Sequence, residues 1–113
     1  MKPKICQDCK LKNTCKIKSD TKAKIIIGDS AEMADKIPNN IDLLFEDTDH
    51  QYNTLSREFK AYLPKMKSGG VMIFDDMKSC PGARLWWKEV RYPNKVNLDR
   101  LHIGAGVTAI VKE

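Results

Sequence analysis

Ile41-Asp42-Leu43-Leu44-Phe45-Glu46-Asp47-Thr48-Asp49-His50 and, further on, Gly69-Gly70-Val71-Met72-Ile73-Phe74-Asp75-Asp76 are the two stretches that decide the fold. Each is a short apolar run that stops abruptly on carboxylates. A run that is apolar nearly throughout reads as a strand covered on both faces, the habit of parallel sheets. Between them, Leu55, Phe59, Tyr62, Leu63 and Met66 recur at spacings of three and four, so Tyr52 to Met66 is predicted as an amphipathic helix. Strand, helix and strand in that order make a right-handed crossover unit.

Working outward, Lys24-Ile25-Ile26-Ile27 ends in Gly28-Asp29-Ser30, a β-branched run followed by turn residues, and is predicted as a further strand. Asp29 or Ser30 would cap a short helix over Ala31 to Ile37, stopped by Pro38. Gly69-Gly70 are read as the break before a strand over Val71–Phe74. Past Asp76, Pro81 to Val90 is predicted as a helix with proline in its first turn. Lys95–Ile103 and Val107–Val111 are predicted as two closing strands that pair antiparallel through Gly104-Ala105-Gly106. The fold class is therefore α/β: a partial Rossmann-like sheet, mostly parallel, with a C-terminal antiparallel hairpin.

Ligands of open parallel sheets bind beyond the carboxyl ends of the strands. Those ends carry Asp29 and Ser30, then Asp47 with His50, then Asp75-Asp76. Crowded carboxylates resist ionising unless a positive charge sits among them. A hard divalent cation answers that need with oxygen ligands and positions left for water or substrate. Asp47, Asp75 and Asp76 are the candidate metal ligands, and His50 is a candidate general base near neutral pH. The blander reading is that each aspartate only caps a turn. His102 is read as structural. Of Trp86 and Trp87, one ring is expected against the sheet and the other at the surface, with substrate stacking as the alternative.

These residues resemble class I S-adenosylmethionine-dependent methyltransferases. The likeness rests on Ile27-Gly28-Asp29-Ser30, on the strand end Phe45-Glu46-Asp47-Thr48-Asp49-His50-Gln51-Tyr52, and on Leu63-Pro64 followed by Gly69-Gly70 and Asp75-Asp76. Within that class it points to metal-assisted O-methyltransferases of the catechol, macrocin and cephalosporin-hydroxylase-like kind, over residues 24–112. The resemblance implies S-adenosylmethionine as cofactor, contacted by Asp29, Ser30 and Asp47. It also implies a divalent metal (Mg²⁺) at Asp47, Asp75 and Asp76, with His50 and Asp47 at the catalytic edge. A small molecule with a hydroxyl group is the implied acceptor. The family's Gly-x-Gly turn has no counterpart here, since no glycine precedes Gly28. The likeness covers the second half of a methyltransferase domain, and the expectation is an incomplete catalytic domain whose open sheet edge is filled by Lys24–Ile27 sliding over to pair directly, by a second copy or by a partner chain.

The 113 residues suit one domain, and 42% hydrophobic with 31% charged residues exclude disordered and fibrous classes. No apolar run approaches the roughly 20 residues of a membrane span. The start shows no apolar stretch after its basic residues, so a cytoplasmic protein is expected. Net charge is +5, but residues 1–24 hold eight lysines against two aspartates. Basicity thus belongs to an N-terminal arm, residues 1–23, and residues 24–113 form the folded domain. The arm carries Cys6, Cys9 and Cys15, three thiols where a structural zinc site needs four ligands. The competing reading is a non-enzymatic α/β module whose basic, cysteine-bearing arm binds nucleic acid or zinc.

Overall fold

The structure, a computed structural model, describes residues 22–98 and 106–113. Cys6, Cys9, Cys15 and His102 lie outside those residues. In chain order come a 3-10 helix (Glu32–Lys36), β1 (Ile41–Glu46), α1 (Tyr52–Tyr62), a 3-10 turn (Leu63–Lys65), β2 (Met66–Phe74), α2 (Pro81–Glu89), β3 (Lys95–Asn97) and β4 (Thr108–Val111). The strands form one sheet in the order β1-β2-β4-β3. β1 and β2 run parallel, with Leu44 opposite Met72 and Glu46 opposite Phe74. β4 pairs antiparallel with both β2 and β3. This is the α/β, partial Rossmann-like sheet with its antiparallel closing hairpin.

Three elements differ from the sequence expectation, each for a physical reason. Lys24–Ile27 forms no strand although the outer edge of β1 is unpaired among the described residues, because β-branched propensity reports fit to a packed sheet surface and does not by itself secure a ladder. The first helix shrinks to a 3-10 turn. Its start is capped by Asp29, whose Oδ1 accepts the Ala31 and Glu32 N–H groups at 3.0 and 3.1 Å, and Pro38 stops it within two residues of its end. The long helix ends at Tyr62, since Pro64 cannot continue it, and β2 begins already at Met66. Gly69 and Gly70 therefore lie inside β2. Gly69 takes φ +84°, and the register to β1 shifts between Ile41 and Leu43. The glycine pair makes a bulge where a break was expected.

Both helices pack on one face of the sheet. Leu55 of α1 and Ala83 and Trp86 of α2 join Met72 and Phe74 of β2 and Ile110 of β4 in a single buried cluster with Met66 and Met77. Trp86 is its hub: its ring lies edge-on to Phe59 at 5.7 Å and tilted against Phe74 at 5.1 Å. Trp87 is half-buried, with Lys95 Nζ 4.5 Å above its ring. One indole is thus core and the other superficial. On the opposite face, Leu43 and Phe45 stand 61% and 60% exposed beside the open edge of β1.

Candidate functional site

β1 and β2 are adjacent and parallel, so their carboxyl ends deliver Asp47 and Asp76 to the same place. The chain leaves β1 through a tight turn that Asp49 ties down, accepting the Gln51 N–H at 3.0 Å and the Thr54 hydroxyl at 3.1 Å. That turn puts His50 at φ 61°, and the turn after β2 puts Asp76 at φ 55°. Both are left-handed conformations that histidine and aspartate tolerate better than most residues, and such strain gathers at functional sites.

The result is a three-residue group. Asp47, His50 and Asp76 each offer one ligating atom, and these atoms all lie within 4.8 Å of one another. His50 Nε2 is 3.3 Å from Asp47 Oδ1 and 3.9 Å from Asp76 Oδ2. The imidazole is buried, 8% exposed, and its Nε2 makes no hydrogen bond. A buried ring nitrogen facing two carboxylates without a bond to either is a group awaiting a positive partner or a proton to take. Donors around an octahedral dication stand about 3 to 4 Å apart when metal–oxygen distances are near 2.1 Å, so the spacing suits a cation at the centre.

The structure brings together Asp47, Asp76 and His50 but leaves Asp75 outside the group. Asp75 prolongs the ladder, its N–H donating to the Glu46 carbonyl oxygen at 3.1 Å. Asp29 is also elsewhere. Besides capping the 3-10 helix, it holds the Arg57 guanidinium through both oxygens at 2.9 and 3.2 Å. The Glu32 N–H first, and Arg57 second, hold its carboxyl below the usual range. Ser30 accepts the Tyr62 hydroxyl at its carbonyl oxygen and its own hydroxyl serves Glu58.

Sequence reasoning passed over a second acidic feature. Glu46 and Glu58 are buried, 3% and 4% exposed, and Thr48 joins them. Its hydroxyl meets Glu46 Oε1 and, at 2.8 Å, Glu58 Oε1, while its N–H donates to Glu46 Oε1 at 2.8 Å. Burial, reinforced by the Glu46 charge against the pull of the Thr48 hydroxyl, pushes the Glu58 carboxyl up to about 7. The signal was present: Glu46 follows Leu44 at strand period and so points the same way as a core residue, and Glu58 is buried along α1 with Leu55.

Comparison with known proteins bears on the family and the fold. Residues 7–77 match a family described as a methyltransferase domain. The matched stretch holds β1, α1, β2 and all three residues of the group, and it begins inside the segment read from sequence as an arm. A crystal structure of a Corynebacterium glutamicum protein superposes with a TM-score of 0.63 at 14% identity, covering 83% of this chain and 49% of that one. An uncharacterized protein of Acanthamoeba polyphaga mimivirus is 45% identical over 42 residues, 37% of this chain and 19% of the viral protein. The chain thus spans about half the length of the solved structure it resembles, and less of the viral relative. With more than half of its residues matched, the chain belongs to the methyltransferase-domain family and has the class I methyltransferase fold.

Proposed function

We propose that this chain carries the metal- and acceptor-handling edge of an S-adenosylmethionine-dependent methyltransferase that acts on a hydroxyl group with a divalent cation. The observation behind it is the buried, unbonded His50 Nε2 facing Asp47 and Asp76 at the ends of two parallel strands. Asp47 and Asp76 would hold the cation, Mg²⁺ being the ion expected for carboxylates and Mn²⁺ a probe with the same preference for oxygen. When bound, such an ion lowers the pKa of a hydroxyl and fixes its oxygen.

The chain's own groups supply the rest. Moving a methyl group from a sulfonium to a hydroxyl oxygen releases one proton. His50 Nε2, with no other partner, is placed to take it. The Asp47 carboxylate 3.3 Å away stabilises the imidazolium that results. Burial of the ring keeps this proton from bulk water. Asp29 and Ser30 remain the proposed contacts to the cofactor, though Asp29 would have to share its carboxylate with Arg57. Asp75 contributes at most through its backbone position beside Glu46. The acceptor is a small hydroxyl-bearing molecule. The exposed Leu43 and Phe45 beside the open β1 edge support the further proposal that another chain or a second copy lies there. With no glycine before Gly28, and its one Gly-x-Gly (Gly104-Ala105-Gly106) placed after β3, the chain by itself is expected to bind S-adenosylmethionine weakly or not at all. Micromolar binding in a calorimetric titration would overturn that.

The test of the metal reading is calorimetric titration of Mn²⁺ into the wild type and into Asp47→Asn and Asp76→Asn. Saturable binding that each variant weakens at least about tenfold supports it. Equal affinity in all three defeats it.

A further inference from the structure

His50 faces Asp47 and Asp76 from a left-handed backbone, φ 61°. Residues with a Cβ avoid that region by about tenfold. Turned to an ordinary right-handed or extended conformation, the Cα would carry its Cβ, and the imidazole with it, away from the two carboxylates. Something in the fold must therefore hold this one residue. Asp49 reaches forward over it: Oδ1 accepts the Gln51 N–H at 3.0 Å and Oδ2 accepts the Thr54 hydroxyl at 3.1 Å. Both oxygens of the carboxylate thus bond to residues beyond His50, and the histidine is the link they span. From the other side, Gly82 of α2 crowds the same peptides, since a Cβ there would lie 2.9 Å from the Tyr52 nitrogen and 3.5 Å from the His50 carbonyl oxygen. Gly82 restricts where the turn can go, and Asp49 supplies the attraction that keeps it there.

From this geometry we propose that Asp49 is the positioning residue of the site: its carboxylate fastens the turn to the start of α1 and so keeps His50 left-handed, with Nε2 facing Asp47 and Asp76. It acts through the histidine and not as a ligand. Its two oxygens are taken, and it stands outside the group of three residues whose ligating atoms lie within 4.8 Å of one another. Nor is negative charge what the role needs. In Asp49→Asn the amide oxygen can accept the Gln51 N–H while the amide nitrogen donates to the Thr54 oxygen, because a hydroxyl both donates and accepts. Alanine can do neither. What the positioning serves rests on the reading of Asp47, Asp76 and His50 given above; the backbone effect does not.

The experiment uses the isotope-labelled full chain as wild type, Asp49→Asn and Asp49→Ala. Without metal, the intraresidue amide–Hα Overhauser effect of His50 is read, which is strong only at positive φ. It should be strong in the wild type and in Asp49→Asn, and fall to the ordinary level in Asp49→Ala. Substoichiometric Mn²⁺ is then added. In the first two proteins the His50 ring signals should broaden together with the Asp47 and Asp76 amides. In Asp49→Ala those amides should still broaden while the ring stays sharp, a separation that loss of a helix cap alone would not produce. A strong Overhauser effect and a broadened ring in Asp49→Ala would overturn the proposal, and so would loss of both in Asp49→Asn. A wild type in which neither Asp47 nor Asp76 broadens would count against the cation reading instead, and the Overhauser comparison would still decide the role of Asp49. Should Asp49→Ala fail to fold, Thr54→Val removes one of the two bonds and must weaken the same effect; an unchanged one overturns the proposal.

Discussion

Replacing Glu58 by Gln should change how stability depends on pH more than it changes stability itself. Glu58 is 4% exposed, and its carboxyl titrates near 7 in the folded chain where the ordinary value is 4.5. The folded state therefore holds the proton more tightly than the unfolded state does, and the sign follows. The contribution is fully present below about 4.5, is lost as pH rises towards 7, and changes no further above that. A tenfold ratio of proton affinities corresponds to about 1.4 kcal/mol, so the whole loss is about 3 kcal/mol. Glutamine fills the same space and cannot ionise. Urea unfolding, followed by fluorescence of the buried Trp86 between pH 4 and pH 8, measures both proteins. Relative to the wild type, Glu58→Gln should gain about 3 kcal/mol between the two ends of that range. Parallel profiles would refute the reasoning, because they would mean that Glu58 is as free to ionise folded as unfolded.

Other consequences are simpler to state. Trp86→Ala removes the hub where Phe59 and Phe74 meet, and denaturant unfolding should show a loss of about 3–5 kcal/mol. Gly82→Ala should be harmful for a different reason: a Cβ there would come within 2.9 Å of the Tyr52 backbone nitrogen and 3.5 Å of the His50 carbonyl oxygen. Since backbone cannot yield as a side chain does, α2 must move away from the start of α1. We expect about 1–3 kcal/mol lost in unfolding, with a drop in Mn²⁺ affinity by calorimetry. Unchanged affinity would show that His50 is positioned without help from α2.

How far the sequence could be read depended on whether a local pattern or a distant partner decides the outcome. β1, α1 and α2 were legible because apolar periodicity, Pro81 and the closing carboxylates are local signals. Lys24–Ile27 has the same local signature as a strand and is none, since pairing is a property of two segments. The bulge at Gly69 was misread as a boundary because glycine marks both. At the site, the acidic strand ends were visible, but which of Asp75 and Asp76 turns towards Asp47 is set by a left-handed backbone angle that residue type only permits. His50 was legible as a catalytic candidate and not as a buried neighbour of Asp76. The Glu46–Glu58 pair could have been found by asking why a strand interior period lands on a glutamate.

The claim that matters most is that Asp47 and Asp76 hold a single cation position with His50 beside it. Paramagnetic broadening tests it residue by residue: substoichiometric Mn²⁺ is added to the isotope-labelled chain and amide signal loss is mapped. The account predicts that Asp47, His50 and Asp76 broaden first and together, while Asp29 and the exposed Asp42 stay sharp. Broadening centred on other carboxylates, or spread evenly over the acidic surface, would contradict it.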